Sequence, residues 1–218
     1  MADQFPHQDQ TVYQARQPLE QADAAMILVH GRGATAPSIL ELASLLPDDR
    51  LAYLAPQAAN QSWYPYSFLE PVEQNEPGLS SGLQVLADLT AQIEAAGIPP
   101  ERIIIGGFSQ GACLTAEFAA RRPRRYGGLL IFSGGLIGPP GALRDYRGSL
   151  AGTPVFLGCS TTDFHIPVER VDESAAVFES LGAVVTKRLY PNMGHTIIQD
   201  EIEQAKKIVE TVMAGTAV

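Results

Sequence analysis

The chain has 218 residues and a mass of 23.4 kDa, with 45% hydrophobic and 18% charged residues. This supports one buried core of ordinary domain size and argues against wholesale disorder. Fifteen basic against 24 acidic residues give a net charge of −9, a poor general platform for nucleic-acid phosphates or anionic lipid headgroups. Cys113 and Cys159 stand alone, which excludes a disulfide scaffold or a cysteine-rich zinc module. No apolar run reaches the roughly 18 residues of a spanning helix. The start, MADQFPHQDQ, lacks the basic and apolar stretches of a secretory signal. A cytoplasmic protein without stable membrane insertion is the expectation.

Residues 1–10 are polar and read as a loose N-terminal arm, with one domain from 11 to 218. Beyond the arm, short apolar runs alternate with longer amphipathic ones. Thr11–Gln17 reads as an antiparallel edge strand. Further strands are predicted at Ala25–His30, Leu51–Pro56, Arg102–Phe108, Gly128–Phe132, Pro154–Gly158 and Val184–Tyr190. Helices are predicted at Ser38–Leu46, Ser80–Ala96, Gln110–Arg121, Val168–Leu181 and Thr196–Met213. This alternation predicts an α/β fold, a mostly parallel sheet covered by helices on both faces. In such sheets the site lies beyond the carboxyl ends of the strands. The segment 57–77 breaks the rhythm; it carries Trp63, Tyr64, Tyr66 and Phe68 among three prolines, and long loops in compact domains are often functional.

The run Gly107-Phe108-Ser109-Gln110-Gly111 joins a predicted strand to a predicted helix. That is the context a G-x-S-x-G nucleophile turn requires: the sharp turn exposes the hydroxyl, and the glycines allow the helix to approach the strand. A nucleophilic serine needs a base and an orienting carboxylate, here expected in the order Ser, Asp, His. Asp163 follows the strand ending at Gly158, and His195 follows the strand ending at Tyr190. All three therefore fall at the same sheet edge. His165 reads as a site-rim or helix-start residue rather than the base, and His30 as a structural hydrogen-bonding one. The oxyanion hole needs two backbone donors, assigned to the N–H groups of Gln110 and of Arg32 in the loop His30-Gly31-Arg32-Gly33-Ala34. The Arg32 side chain faces either solvent or the pocket.

Together LVHGRGA at 28–34, GGFSQGA at 106–112, GCSTTDFHIP at 158–167 and YPNMGH at 190–195 resemble the phospholipase/carboxylesterase family of the α/β-hydrolase fold, over about residues 24–213. The resemblance implies Ser109, Asp163 and His195 as triad, Arg32 and Gln110 as oxyanion donors, no metal or organic cofactor, a small-molecule ester or thioester as substrate, and frequent homodimers. It also sets the aromatic loop beside the site, making Trp63, Tyr64, Tyr66 and Phe68 candidate substrate-binding residues; packing onto the core or a subunit interface is the alternative. Two departures stand out. Arg32 replaces the family's usual Leu, and Pro65 stands where an Asp is common. The chain has no room for a cap domain, so short-chain or aromatic esters are expected to be preferred over long lipid esters. Hydrolysis of a lactone or diketone by the same triad, and a non-catalytic ligand-binding protein, are the other readings.

Overall fold

The computed structural model describes residues 5–46 and 48–215. Seven strands form one sheet: β1 (Val12–Arg16), β2 (Ala24–Val29), β3 (Leu51–Pro56), β4 (Ile103–Phe108), β5 (Gly128–Phe132), β6 (Pro154–Ser160) and β7 (Val184–Tyr190). Their order is β1-β3-β2-β4-β5-β6-β7. Among the described residues only β1 runs antiparallel, pairing with β3 at the edge. The helices are α1 (Ala36–Leu40), α2 (Leu42–Leu45), α3 (Gly78–Ala95), α4 (Gln110–Arg121), α5 (Val168–Ser180) and α6 (Gln199–Met213).

Successive residues of β2 serve two different cores. Ala25, Ile27 and Val29 face the layer of α3, α4 and α5, whereas Ala24, Met26 and Leu28 face that of α1, α2 and α6. The period of two along a strand produces this division, and burial on both faces explains the near-continuous apolar runs. The outer strand β7 instead carries charge: Lys187 pairs with Asp172 and Arg188 with Asp200. Charged side chains on an open edge discourage pairing with another chain.

From β2 the chain moves to β3 on one side, then crosses back to β4 on the other. The loops after β2 and β4 thus leave neighbouring strands in divergent directions, which opens a crevice at the carboxyl edge. The register keeps that edge level, with Val29 opposite Gly107, Phe108 opposite Phe132, and Ser160 opposite Tyr190.

Three expectations change. The helix at 38–46 is two short pieces, the first opened earlier by Thr35, whose side chain accepts the Ser38 N–H while Ser38 bonds back to Thr35 N. The last helix starts at Gln199 rather than Thr196, because Glu201 accepts the Ile198 N–H and fixes the start there. The arm differs most. Residues 1–4 lie outside the described residues, but His7 is buried: its N–H donates to Ser81 Oγ, its Nε2 donates to Trp63 O, and its Nδ1 accepts from Ala59 N. Polar sequence alone suggested solvent; hydrogen bonding to residues 52–74 positions away decides otherwise. Among the described residues no helix is long and apolar enough to cross a membrane.

Candidate active site

Strand β4 turns sharply into α4 at Ser109, whose φ of 56° and ψ of −119° lie where side chains are rarely found, a conformation that must be held by its surroundings. Ser109 N donates to Phe132 O at 2.9 Å, and Ser109 O accepts from Cys113 N at 3.0 Å. The glycines do what the motif requires. A Cβ on Gly107 would come within 2.5 Å of the Gly111 backbone, and one on Gly111 within 2.2 Å of Val29 O. Neither position admits another residue without moving a strand.

Asp163 and His195 arrive on the loops after β6 and β7. His195 Nε2 is 2.8 Å from Ser109 Oγ, and His195 Nδ1 is 2.7 Å from Asp163 Oδ2. The other Asp163 oxygen accepts the N–H groups of His165 and Ile166 at 2.8 and 3.1 Å. Burial pushes the Asp163 carboxyl up, but the bond to His195 and the two amides outweigh it, so its pKa lies below the ordinary value. Asp163 is thus an ionised acceptor that holds the Nδ1 proton and leaves Nε2 free to accept from Ser109. The His195 loop is anchored by Ser160 Oγ, which donates to Met193 O at 2.6 Å. Phe108 packs against the imidazole with ring centroids 4.8 Å apart, and His165 meets it edge-on at 4.9 Å. Of the two readings, rim or helix start, His165 takes the first: it lines the cavity, and α5 begins only at Val168.

A cavity of about 590 Å³ opens over Ser109, with Gly31, Arg32, Gln110 and His195 beside it. The N-terminus of α4 faces it, adding the positive end of the helix dipole. Among the described residues no hydrogen bond occupies the backbone N–H of Arg32 or of Gln110, so both are available to an oxygen in the cavity. Tyr64, Tyr66 and Phe68 line the wall. Cys113 forms part of the floor; burial pushes its thiol up to about 12, so it acts as a small hydrophobe. Cys159 is likewise pushed to about 12, by burial and then by the Asp163 charge. Among the described residues no cluster of His, Cys, Asp and Glu could hold a metal ion.

Trp63 is not in the wall. It is completely buried behind the cavity, its Nε1 donating to His30 O at 2.9 Å. The Gln110 side chain holds the same stretch from the other side, accepting Trp63 N at 2.9 Å and donating to Tyr64 O at 2.8 Å. Trp63 is therefore an anchor of the aromatic loop, because a buried indole must satisfy its N–H inside the protein. Two histidines complete the anchor. His30 Nε2 accepts from Ala58 N at 3.0 Å while its Nδ1 donates to Gly31 O at 2.8 Å, and His7 accepts from the next amide, Ala59 N, at 3.1 Å.

The two departures from the family pattern meet. Arg32 extends over the loop, donating to Ser62 Oγ at 3.1 Å, Pro65 O at 2.8 Å and Tyr66 O at 2.6 Å. The side chain left between solvent and pocket is exposed, yet fixed along the cavity's edge by three acceptors. Glu201 was not visible as a site residue. It is buried behind the His195 loop, Oε2 accepting Ile198 N at 2.9 Å and Oε1 lying over Gly158, where a Cβ would clash. Burial, which outweighs the bond from Ile198, raises its pKa to about 7. A Glu three residues past a helix start was the available signal.

The sequence model of the phospholipase/carboxylesterase family matches residues 10–213. The chain belongs to this family. A crystal structure of a phospholipase/carboxylesterase from Dyadobacter fermentans is 44% identical and superposes with a TM-score of 0.89, covering 93% of this chain and 97% of that one. The acyl-protein thioesterase 1 of Eremothecium gossypii is 30% identical over 87% of this chain and 88% of its own length. SOBER1 of Arabidopsis thaliana, at 20% identity and a TM-score of 0.73 over 87% and 99% of the two chains, shares the fold. The architecture is that of the α/β-hydrolases.

Proposed function

We propose that this member of the carboxylesterase family hydrolyses esters through an acyl-enzyme on Ser109. The observation that carries the reading is the unbroken line Ser109 Oγ–His195 Nε2, His195 Nδ1–Asp163 Oδ2, set on a strained turn at the mouth of a cavity. Ser109 Oγ bonds to the carbonyl carbon as its proton passes to His195 Nε2. The oxyanion that forms is met by the N–H groups of Arg32 and Gln110. The carbon–oxygen bond to the leaving group breaks, and His195 returns the proton to the departing oxygen. Water then repeats the sequence on the acyl-enzyme, releasing the acid and Ser109. Asp163 stays ionised and stabilises the imidazolium. Thioesters fit the same path, with the carbon–sulfur bond breaking; the resemblance to an acyl-protein thioesterase favours including them.

The walls of Tyr64, Tyr66 and Phe68 and the tethered Arg32 favour short or flat apolar acyl groups. The test is a panel of acetyl, butyryl, octanoyl and palmitoyl esters of one leaving group below their micelle concentrations, with matched thioesters, on wild type and Ser109→Ala. Turnover of the short esters that vanishes in the variant is expected. Turnover that persists in Ser109→Ala defeats the mechanism, and kcat/KM rising steadily to palmitoyl defeats the specificity.

A further inference from the structure

A second cavity, of about 320 Å³, begins where the first one ends. Gly31, Ala34, Phe108 and His195 line both. Beyond them the second runs between α1–α2 and the start of the segment leading to α6, with Ile39, Leu42 and Leu45 on one wall and Ile197 on the other. Leu45 is 48% exposed, an apolar side chain at the groove with no core position to explain it. Ser109 lines only the first cavity, whereas His195 lines both.

That asymmetry sorts the two halves of an ester. The acyl group becomes bonded to Ser109 and so must lie in the cavity that Ser109 lines, which also holds Arg32 and Gln110. The leaving group never bonds to Ser109. Its oxygen needs only to reach His195 Nε2, which returns the proton to it. We propose that the second cavity is the leaving-group subsite, and that it takes an apolar alcohol or thiol. Its volume is at the small end of ligand pockets; Ile39, Leu42, Leu45 and Ile197 give its two walls an aliphatic surface, with Ser38 and Thr196 as polar side chains among them. Glu41, exposed at its rim, disfavours an alcohol that ends in a carboxylate or phosphate. The inference rests on the Ser109–His195–Asp163 reading and extends it to the half of the substrate that departs.

The experiment holds the acyl group at acetyl and varies the alcohol through methyl, butyl and hexyl, adding 6-acetoxyhexanoate, the hexyl ester's carboxylate-ended counterpart. In the wild type, kcat/KM should rise at least tenfold from methyl to hexyl acetate, and 6-acetoxyhexanoate should fall at least fivefold below hexyl acetate. The rate of acetyl-enzyme breakdown should be the same for every alcohol, because the intermediate is common. Leu45→Glu, a change at a half-exposed position, should cut the hexyl-to-methyl ratio at least fivefold. Glu41→Lys, a surface change that leaves the walls in place, should raise 6-acetoxyhexanoate at least fivefold relative to hexyl acetate. A ratio flat in alcohol length, or variants that alter a series of methyl acylates instead, would overturn the assignment while leaving the triad standing. Acetate hydrolysis that survives Ser109→Ala, or none at all in the wild type, would overturn both.

Discussion

His7 and His30 hold consecutive amides of the aromatic loop, Ala59 and Ala58, and each does so as an acceptor. A protonated imidazole has only donors, so each must be neutral to make its bond. Burial accordingly lowers both pKa values from the ordinary 6.5, against the smaller opposing pull of the bonds to Trp63 and Gly31 carbonyls. The unfolded chain takes up protons at 6.5 that the folded chain refuses. The stability these residues contribute is thus fully present above pH 6.5 and is lost as pH falls toward their lowered native values. Between pH 7.5 and 5.5 a histidine held neutral throughout would cost about 1.4 kcal/mol, so the pair can cost at most about 2.7 kcal/mol. At roughly 2–4 °C per kcal/mol for a chain of this size, the pair lowers Tm by at most about 11 °C. Glu201 acts in the opposite direction, since a carboxyl raised to about 7 gains protons on folding over the same range and partly masks the loss. The comparison to make is therefore between variants. Urea unfolding of wild type, His7→Gln, His30→Gln and the double variant at both pH values should show each substitution destabilising at pH 7.5 yet reducing the acid loss, by up to about 1.4 kcal/mol. Variants that keep the full wild-type pH dependence would refute the neutral-acceptor assignment.

Trp63→Ala removes a fully buried indole and should cost about 3–5 kcal/mol in urea unfolding, while lowering kcat/KM by a similar factor on every ester; a loss confined to one acyl group would return Trp63 to the cavity wall. Glu201→Gln should leave stability near pH 5 almost unchanged and raise it at pH 8.5, because a carboxyl whose native pKa is raised loses its contribution as pH climbs through about 7; a destabilised variant at pH 8.5 would contradict the raised pKa of the buried carboxyl. Asp163→Asn should reduce kcat by about 10⁴-fold with little change in KM, and wild-type kcat/KM should decline on acidification, because only a neutral imidazole can accept the Ser109 proton; a flat profile with chemistry limiting would remove His195 as the base.

The strands and the edge on which the site sits were legible because they depend on local pattern. Ile103, Ile104 and Ile105 before Gly-x-Ser-x-Gly announce a buried strand entering a tight turn, and the loops bearing Asp163 and His195 follow equally apolar runs. What was hidden depends on partners distant in sequence. An aromatic in a proline-rich loop reads the same whether it faces a ligand or the core, and Trp63 is assigned to the core by His30 and Gln110, 33 and 47 positions away. His7 lay in a polar stretch whose burial rests on Ser81, Trp63 and Ala59. Arg32 and Pro65 were each visible as departures, but the guanidinium–carbonyl bond between them is a contact that no local signal carries. Glu201 sits on a helix with an amphipathic pattern, and only the missing side chain at Gly158 makes room for its carboxyl inside.

The central claim is that Ser109 is the nucleophile, activated by His195. Labelling with a fluorophosphonate probe, followed by mapping of the adducted peptide, addresses it without any assumption about substrate. A single phosphonyl adduct on Ser109 is expected, absent from Ser109→Ala and slowed in parallel with ester hydrolysis as the pH is lowered. An adduct on another residue, or labelling and turnover undiminished in Ser109→Ala, would contradict it.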